Sequence, residues 1–224
     1  TRERIQTIVR LSNQARVYLL RVNQLRRSRP APFPASEALS YGAGMIFSSF
    51  GTAQGVAFHR ALYRFVRQRV DRGRGYLPEE RHRLLWLHHI RPYYPNDIFE
   101  VLSRKGAAVA FEEVSHVYWP PLREEAILEG LCDKMASSFS NGPLERRVEK
   151  ALEMAGNYEV DGVIHFSHWG CRQSCGGASV LADVLKDQGI PCLILHGDGG
   201  DPSNYSPEQT RTRLEAFVEM LDGR

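Results

Sequence analysis

The stretch whose reading decides the fold is DGVIHFSHWGCRQSCGG, Asp161–Gly177. Gly162–Phe166 is a short apolar run of strand length. It passes straight into a loop carrying His168, Trp169 and Cys171, and Cys175 follows one helical turn later, before Gly176 and Gly177. A continuous apolar run bounded by polar residues is the pattern of a strand buried on both faces. A cysteine at the head of the following helix sits where the positive end of the helix favours a thiolate. The same two cysteines also read as small buried core residues.

The same rhythm recurs on either side. Arg83–His89 (RLLWLHH), Ala107–Val114 (AAVAFEEV) and Cys192–His196 (CLILH) are the other apolar runs. Helical segments are predicted between and after them: from an Asn96 cap to Arg104, Pro121–Ser138, Pro143–Gly156, Cys171–Gln188, and from Ser206 to about Leu221. Ser206, Pro207 and Gln209 read as N-cap, first helical position and capping box. Strands alternating with helices predict an α/β fold with a four-stranded parallel sheet covered on both faces. Ahead of it, residues 4–27 carry an apolar stripe at helical spacing (Ile5, Ile8, Leu11, Ala15, Tyr18, Leu19, Val22, Leu25). Arg29–Pro34 ends that helix. A second begins near Ser36, and a third covers Gly55–Val70. The expected organisation is a helical segment, 1–78, packed on an α/β domain, 79–224.

Composition narrows the class. Of 224 residues 42% are hydrophobic, enough for a core and too many for a disordered chain. No run of about 18 apolar residues exists, so no membrane span is expected. Thr1–Arg10 is charged, with no apolar stretch of a secretion signal after it. A cytoplasmic location is therefore expected, and the missing initiator Met suggests a fragment or a processed product. Four cysteines in a chain this long are not a disulfide scaffold, so thiol or metal chemistry is the reading. Residues 1–75 hold 14 Arg against Glu3, Glu37 and Asp71, a net of +11, which leaves −8 on the rest. No aromatic-interleaved basic motif accompanies that charge, so nucleic acid is not expected. Solvated helix faces or a docking surface for a partner account for it.

In open α/β sheets ligands bind beyond the carboxyl ends of the strands. Beyond the first run come His88, His89 and Arg91. Beyond the second come Glu112, Glu113, Ser115 and His116. Beyond the third come Ser167, His168, Trp169 and Cys171, and beyond the fourth His196, Asp198 and Asp201. Five of the eight histidines thus fall at one edge, the candidate site. Three chemistries fit the residue types. Cys171, Cys175 and His168 resemble part of a zinc site, although no second cysteine pair follows. Cys171 with His168 or His116 as base would be a nucleophile. An iron–sulfur cluster needs three or four thiolates, more than this chain places well. Gly197–Gly200 is a weak phosphate cradle, and no P-loop or dinucleotide fingerprint is present. Cys132, in a predicted helix, and Cys192, opening a strand, read as structural.

Three segments in order, DGVIHFSHWGC, GIPCLILHGD and TRTRLEAFVEML, with RLSNQARVYLLRVNQLRR, RLLWLHH and GAAVAFEEV before them, resemble the 2-hydroxyacyl-CoA dehydratase and benzoyl-CoA reductase superfamily. That group includes D-component subunits and double-cubane cluster proteins. The likeness spans nearly the whole chain. It implies a flavodoxin-like three-layer domain, one of two that hold a [4Fe-4S] or larger iron–sulfur cluster between them. Most cluster cysteines come from the N-terminal domain of such subunits and one from the position matched here by Cys171. The resemblance implies Cys171, with Cys175, as metal ligands and Trp169 and Gly170 beside the cofactor. It implies His88, His89, Ser115 and His168 as catalytic residues, with Glu112 on the substrate side. Implied partners are a paralogous subunit or second copy, an ATP-hydrolysing activator and an acyl-CoA. The implied reactions are dehydration of a 2-hydroxyacyl-CoA or reduction of an activated ring through a ketyl-type radical. The chain departs from the pattern in lacking the N-terminal cluster-binding domain, so alone it is not expected to turn over. A non-catalytic module that docks a partner subunit through its basic helices is the alternative.

Overall fold

The computed structural model describes residues 1–88 and 90–224; His89, one of the sequence-predicted site residues, lies outside them. Two long helices open the chain, α1 (Arg2–Leu25) and α4 (Ala53–Asp71), and pack against each other. Between them α2 (Ala35–Glu37) runs through a π-turn, Ala38–Gly42, into α3 (Ala43–Ser49). Thr1 and Thr52 cap α1 and α4, their hydroxyls accepting from Arg4 N at 3.4 Å and Gly55 N at 3.0 Å. The buried face of α1 is Val9, Ser12, Ala15, Leu19, Val22 and Asn23, whereas Ile5 and Ile8 are exposed. The expected stripe is thus right toward the C-terminal half and rotated at the start, where Val9 and Ser12 rather than Ile5 and Ile8 turn inward.

The sheet holds β1 (His82–Leu87), β2 (Ala107–Glu112), β3 (Gly162–His168) and β4 (Cys192–Gly197), all parallel, in the order β2-β1-β3-β4. This is the expected α/β class with a four-stranded parallel sheet, consistent with a flavodoxin-like fold. Side chains alternate between two cores, as strand geometry requires. Leu84, Trp86, Ile164, Phe166 and Leu195 face α5 (Ile98–Arg104) and α10 (Pro207–Asp222). Leu85, Leu87, Phe111 and Val163 face α7 (Leu144–Asn157) and α9 (Ala178–Asp187). The apolar runs are continuous because both faces are covered.

Four local expectations are corrected. The helix expected at Pro121–Ser138 is only α6 (Ile127–Ala136), since Asn13 holds Leu122 through both its backbone groups in an irregular segment. The helix expected at Cys171–Gln188 breaks at Gly177 into α8 (Arg172–Gly176) and α9. An added Cβ at Gly177 would lie 2.4 Å from Leu144 Cδ1, so any larger residue there must displace the Leu144 side chain. Ser206 makes no side-chain cap bond, so the capping box does not form, although Pro207 stands at the start of α10. Cys132 is exposed on α6 rather than structural, while Cys192 packs against the α7/α9 core.

Candidate functional site

The carboxyl ends of β1, β2 and β3 converge on one buried ion pair. Glu113, just past β2, is 3% exposed and Arg147, on α7, is 4% exposed. Arg147 Nε and Nη2 donate to the two Glu113 oxygens at 3.1 and 3.2 Å. Glu113 also accepts the backbone N–H of His88. Burial opposes the ionised carboxylate, but the Arg147 charge and its hydrogen bonds prevail and hold Glu113 below the usual carboxylate range. His88 is itself buried with φ +89°, a left-handed conformation that a non-glycine residue adopts only when its surroundings impose it. The bond from its N–H to Glu113 is one such constraint.

The β3 loop is built on Ser174. That side chain is fully buried; its hydroxyl donates to Phe166 O at 2.9 Å and accepts from His168 N at 3.0 Å. Cys171 N donates to His168 O at 2.9 Å, and Cys171 is the N-cap of α8. Cys171 is half-buried and Cys175 exposed. Cys175 Sγ donates to His168 O at 3.1 Å and lies 3.4 Å from Ser167 Oγ. Cys171 thus stands at the head of α8 and Cys175 near its C-terminal end. The His168 ring lies over Gly170, where a Cβ would come within 2.9 Å of Nε2, and its Nδ1 accepts from Gly199 N at 3.1 Å. Trp169 is 49% exposed and is held through its backbone N–H, which donates to Gly197 O at 3.0 Å.

The sequence-predicted residues divide accordingly. His88 and His168 come together, ring centroids 6.4 Å apart, beside the thiol loop. Glu112 is turned toward the N-terminal helices: it is fully buried and takes Arg26 Nη1 and Nη2 at 2.7 and 2.5 Å. Ser115 is buried, its carbonyl accepting from Asn23 Nδ2 at 2.7 Å, and it faces the N-terminal helices rather than the cysteines. Residues not singled out from sequence are Arg147 and His165. His165 is fully buried on β3, and neither ring nitrogen has a hydrogen-bond partner among the described residues. Burial, with Arg147 nearby, pushes its pKa down to about 4. Its place in the middle of an apolar run hid it.

A cavity of about 470 Å³ lies beside Glu113, walled by Phe47, Phe50, Trp119 and Phe139, with His116 and Lys134 among its polar groups. Burial lowers the pKa of both. Lys134 Nζ stands 4.4 Å from the Trp119 ring centroid. Among the described residues no cluster of three or more His, Cys, Asp or Glu could hold a metal ion. Cys171 and Cys175 are two soft donors, fewer than the three or four thiolates an iron–sulfur cluster needs. Among the described residues no helix is long and apolar enough to cross a membrane.

Comparison with known proteins gives a match to the family model "2-hydroxyglutaryl-CoA dehydratase, D-component" over residues 1–221. A benzoyl-CoA reductase subunit of Thauera aromatica is 25% identical across 98% of this chain and 54% of its own length. The (R)-2-hydroxyglutaryl-CoA dehydratase alpha subunit of Acidaminococcus fermentans is 23% identical across 91% and 42%. The (R)-phenyllactyl-CoA dehydratase alpha subunit of Clostridium sporogenes is 23% identical across 97% and 53%. The chain spans about half the length of these relatives.

Proposed function

The chain belongs to the 2-hydroxyglutaryl-CoA dehydratase D-component family, and from that premise we propose that it is one α/β unit of an iron–sulfur subunit acting on coenzyme A thioesters. The observation that carries this reading is the thiol loop: Cys171 heads a helix at the carboxyl end of β3, with Cys175 one turn on. We assign Cys171 as a cluster ligand and Cys175 as the candidate second. The remaining ligands come from outside this chain, a partner subunit or a second copy. Relatives named as alpha and beta subunits support a paired assembly.

When bound, such a cluster supplies one-electron chemistry. The chain's own residues do the positioning. Ser174 and Arg147 fix the loop that presents the thiols. Gly170 lets the His168 ring lie close against the backbone. Trp169 shields the face that meets the cluster. His88, at the end of β1, stands next to His168 at the edge where substrate would approach, and the aromatic cavity beside Glu113 gives an acyl group an apolar wall. Ser115 and Glu112 are left out of this machinery, because their contacts are with α1.

The test is purification without oxygen, together with whatever subunits accompany the chain, followed by iron analysis and electron paramagnetic resonance. Cys171→Ala is expected to lower iron content and to remove or change the signal. Identical iron and an identical signal in the variant would sink the assignment. Zinc in place of iron would turn the reading toward a mononuclear metal site.

A further inference from the structure

Helix α6 turns its apolar side outward. Leu128, Leu131, Cys132 and Met135 recur at i, i+3, i+4 and i+7, the spacing of a single helix face. In a helix that packs on a core, that face is the buried one. Here all four residues are exposed, Leu128 by 76% and Met135 by 66%, and Gly130 is the only buried residue of α6. Glu129 and Asp133, also exposed, flank the stripe. Lys134, the one basic residue of the helix, is folded back over Trp119, its Nζ 4.4 Å from the ring centroid. The rim of the stripe is therefore acidic. A contiguous apolar patch with a charged rim is the anatomy of a protein–protein contact.

The start of α1 carries the opposite charge. Ile5 and Ile8 are exposed there, among Arg2, Arg4 and Arg10, and Glu3 is the only acid of the first three turns. Among the described residues no ion pair involves Arg2, Arg4, Glu129 or Asp133, so these charges are not spent within the chain. The two patches adjoin. Asn13 of α1 takes both backbone groups of Leu122, and Gly130 of α6 packs on that same leucine, a Cβ built there lying 3.4 Å from its Cδ2. Arg10 reaches Glu124 across the join at 3.8 Å.

A surface with an acidic apolar half beside a basic apolar half is complementary to itself. A two-fold axis between the halves lays the α1 start of each copy on α6 of the other, so one contact is made twice and the pair closes. Two α6 stripes laid antiparallel against each other fit less well, because the Glu129 and Asp133 flanks of both copies would then meet. We infer that this face joins two copies of the chain, each resting the Ile5 and Ile8 end of α1 on the Leu128–Met135 stripe of its partner. The pairing needs neither cluster nor thioester, so it holds or fails separately from the function proposed above.

Sedimentation velocity of the 224-residue chain tests this. Wild type is expected to pass from monomer to dimer as its concentration rises, with a dissociation constant about tenfold or more weaker at about 0.5 M salt than at about 0.05 M. Two double variants carry the comparison: Glu129→Arg with Asp133→Arg, and Arg2→Glu with Arg4→Glu. All four positions are exposed, and thermal unfolding confirms that each variant is folded. Alone, each sets like charges against each other and should stay monomeric. Mixed, the two restore opposite charges at both contacts and should form a one-to-one heterodimer. Leu128→Ser with Met135→Ser, which alters no charge, should also be monomeric. Alkylation of Cys132, fast in dilute protein, should slow as the dimer forms. Wild type that is monomeric up to about 0.5 mM overturns the inference. So does a dimer that persists in each double variant alone, or a mixture of the two charge variants that stays monomeric. A mixture that grows beyond the dimer shows a head-to-tail contact and overturns the two-fold pairing.

Discussion

Arg147 donates from Nη1 to the backbone carbonyl of Gln173 at 2.8 Å, midway between Cys171 and Cys175 in sequence. The same guanidinium holds Glu113, which in turn accepts the His88 N–H. One buried arginine on α7 therefore ties the end of β1, the end of β2 and the thiol loop together. A buried ion pair is a poor source of net stability, because desolvation offsets most of the attraction. Its value here is positional: it links the ends of β1 and β2 to the thiol loop.

Breaking that pair from one side should be costly. Arg147→Met leaves Glu113 buried and unpaired, and a loss of about 3–5 kcal/mol is expected. The double variant with Glu113→Leu should regain much of it, since both charges are then gone. Urea denaturation of the four proteins measures the coupling. Equal losses in the single and double variants would show that Arg147 acts through packing alone.

His165 predicts an acid-sensitive fold. Its pKa is about 4 in the native state against an ordinary 6.5, so between those values the unfolded chain binds a proton that the native chain refuses. Its contribution is intact above pH 6.5. Stability then falls as pH drops toward 4, by up to ~3 kcal/mol in all. His165→Leu keeps similar volume and removes two unmatched nitrogens. It should flatten that part of the profile and be neutral or stabilising at about pH 7. Unfolding midpoints measured from about pH 7.5 to about 4.5 decide it, and parallel profiles for the two proteins would refute the assignment.

How far the sequence carried the fold is clear from single residues. Strands β1 to β4 were legible as uninterrupted apolar runs because both faces of the sheet are covered, so no polar alternation diluted the signal. The break at Gly177 was not legible. The glycine there packs against Leu144 of α7, a contact between residues 33 positions apart that no local pattern announces. At the site, His88 and His168 were placed correctly at one edge by topology alone. Glu112 and Ser115 were not separable from Glu113 and His116, since neighbours beyond a strand end turn to opposite sides. Only Arg26 and Asn23 of α1 decide which side is which. Arg147 gave no signal at all, being one of two adjacent arginines on an amphipathic helix.

The four cysteines should separate by reactivity. Cys132 and Cys175 are exposed and Cys171 is half-buried, whereas burial pushes the Cys192 thiol up to about 12. At about pH 8 only about one Cys192 in ten thousand is then a thiolate, the reactive form. Alkylation of the native protein under reducing, metal-free conditions, followed by peptide mass spectrometry, should label Cys132 and Cys175 first. Cys192 should label only after unfolding. Labelling of native Cys192 as fast as Cys175 would contradict the packing of β4 against the α7/α9 core.

Gly170 gives the sharpest test of how the loop is aimed. An added Cβ would stand 2.9 Å from His168 Nε2, closer than a side chain tolerates, while the ring is also anchored through Nδ1 to Gly199 N at 3.1 Å. Gly170→Ala must therefore swing the imidazole and lengthen the Gly199 bond. The cost to stability should be modest, about 1 kcal/mol, because a ring in a half-open loop moves more easily than a packed core. The local effect should be large: the Gly199 amide resonance shifts as it loses its acceptor, and backbone amides of α4, which packs on α1 and α3, stay in place. An unshifted Gly199 amide in a folded Gly170→Ala protein would mean that His168 is not held between these two glycines. His168 would then have no fixed orientation beside Cys171.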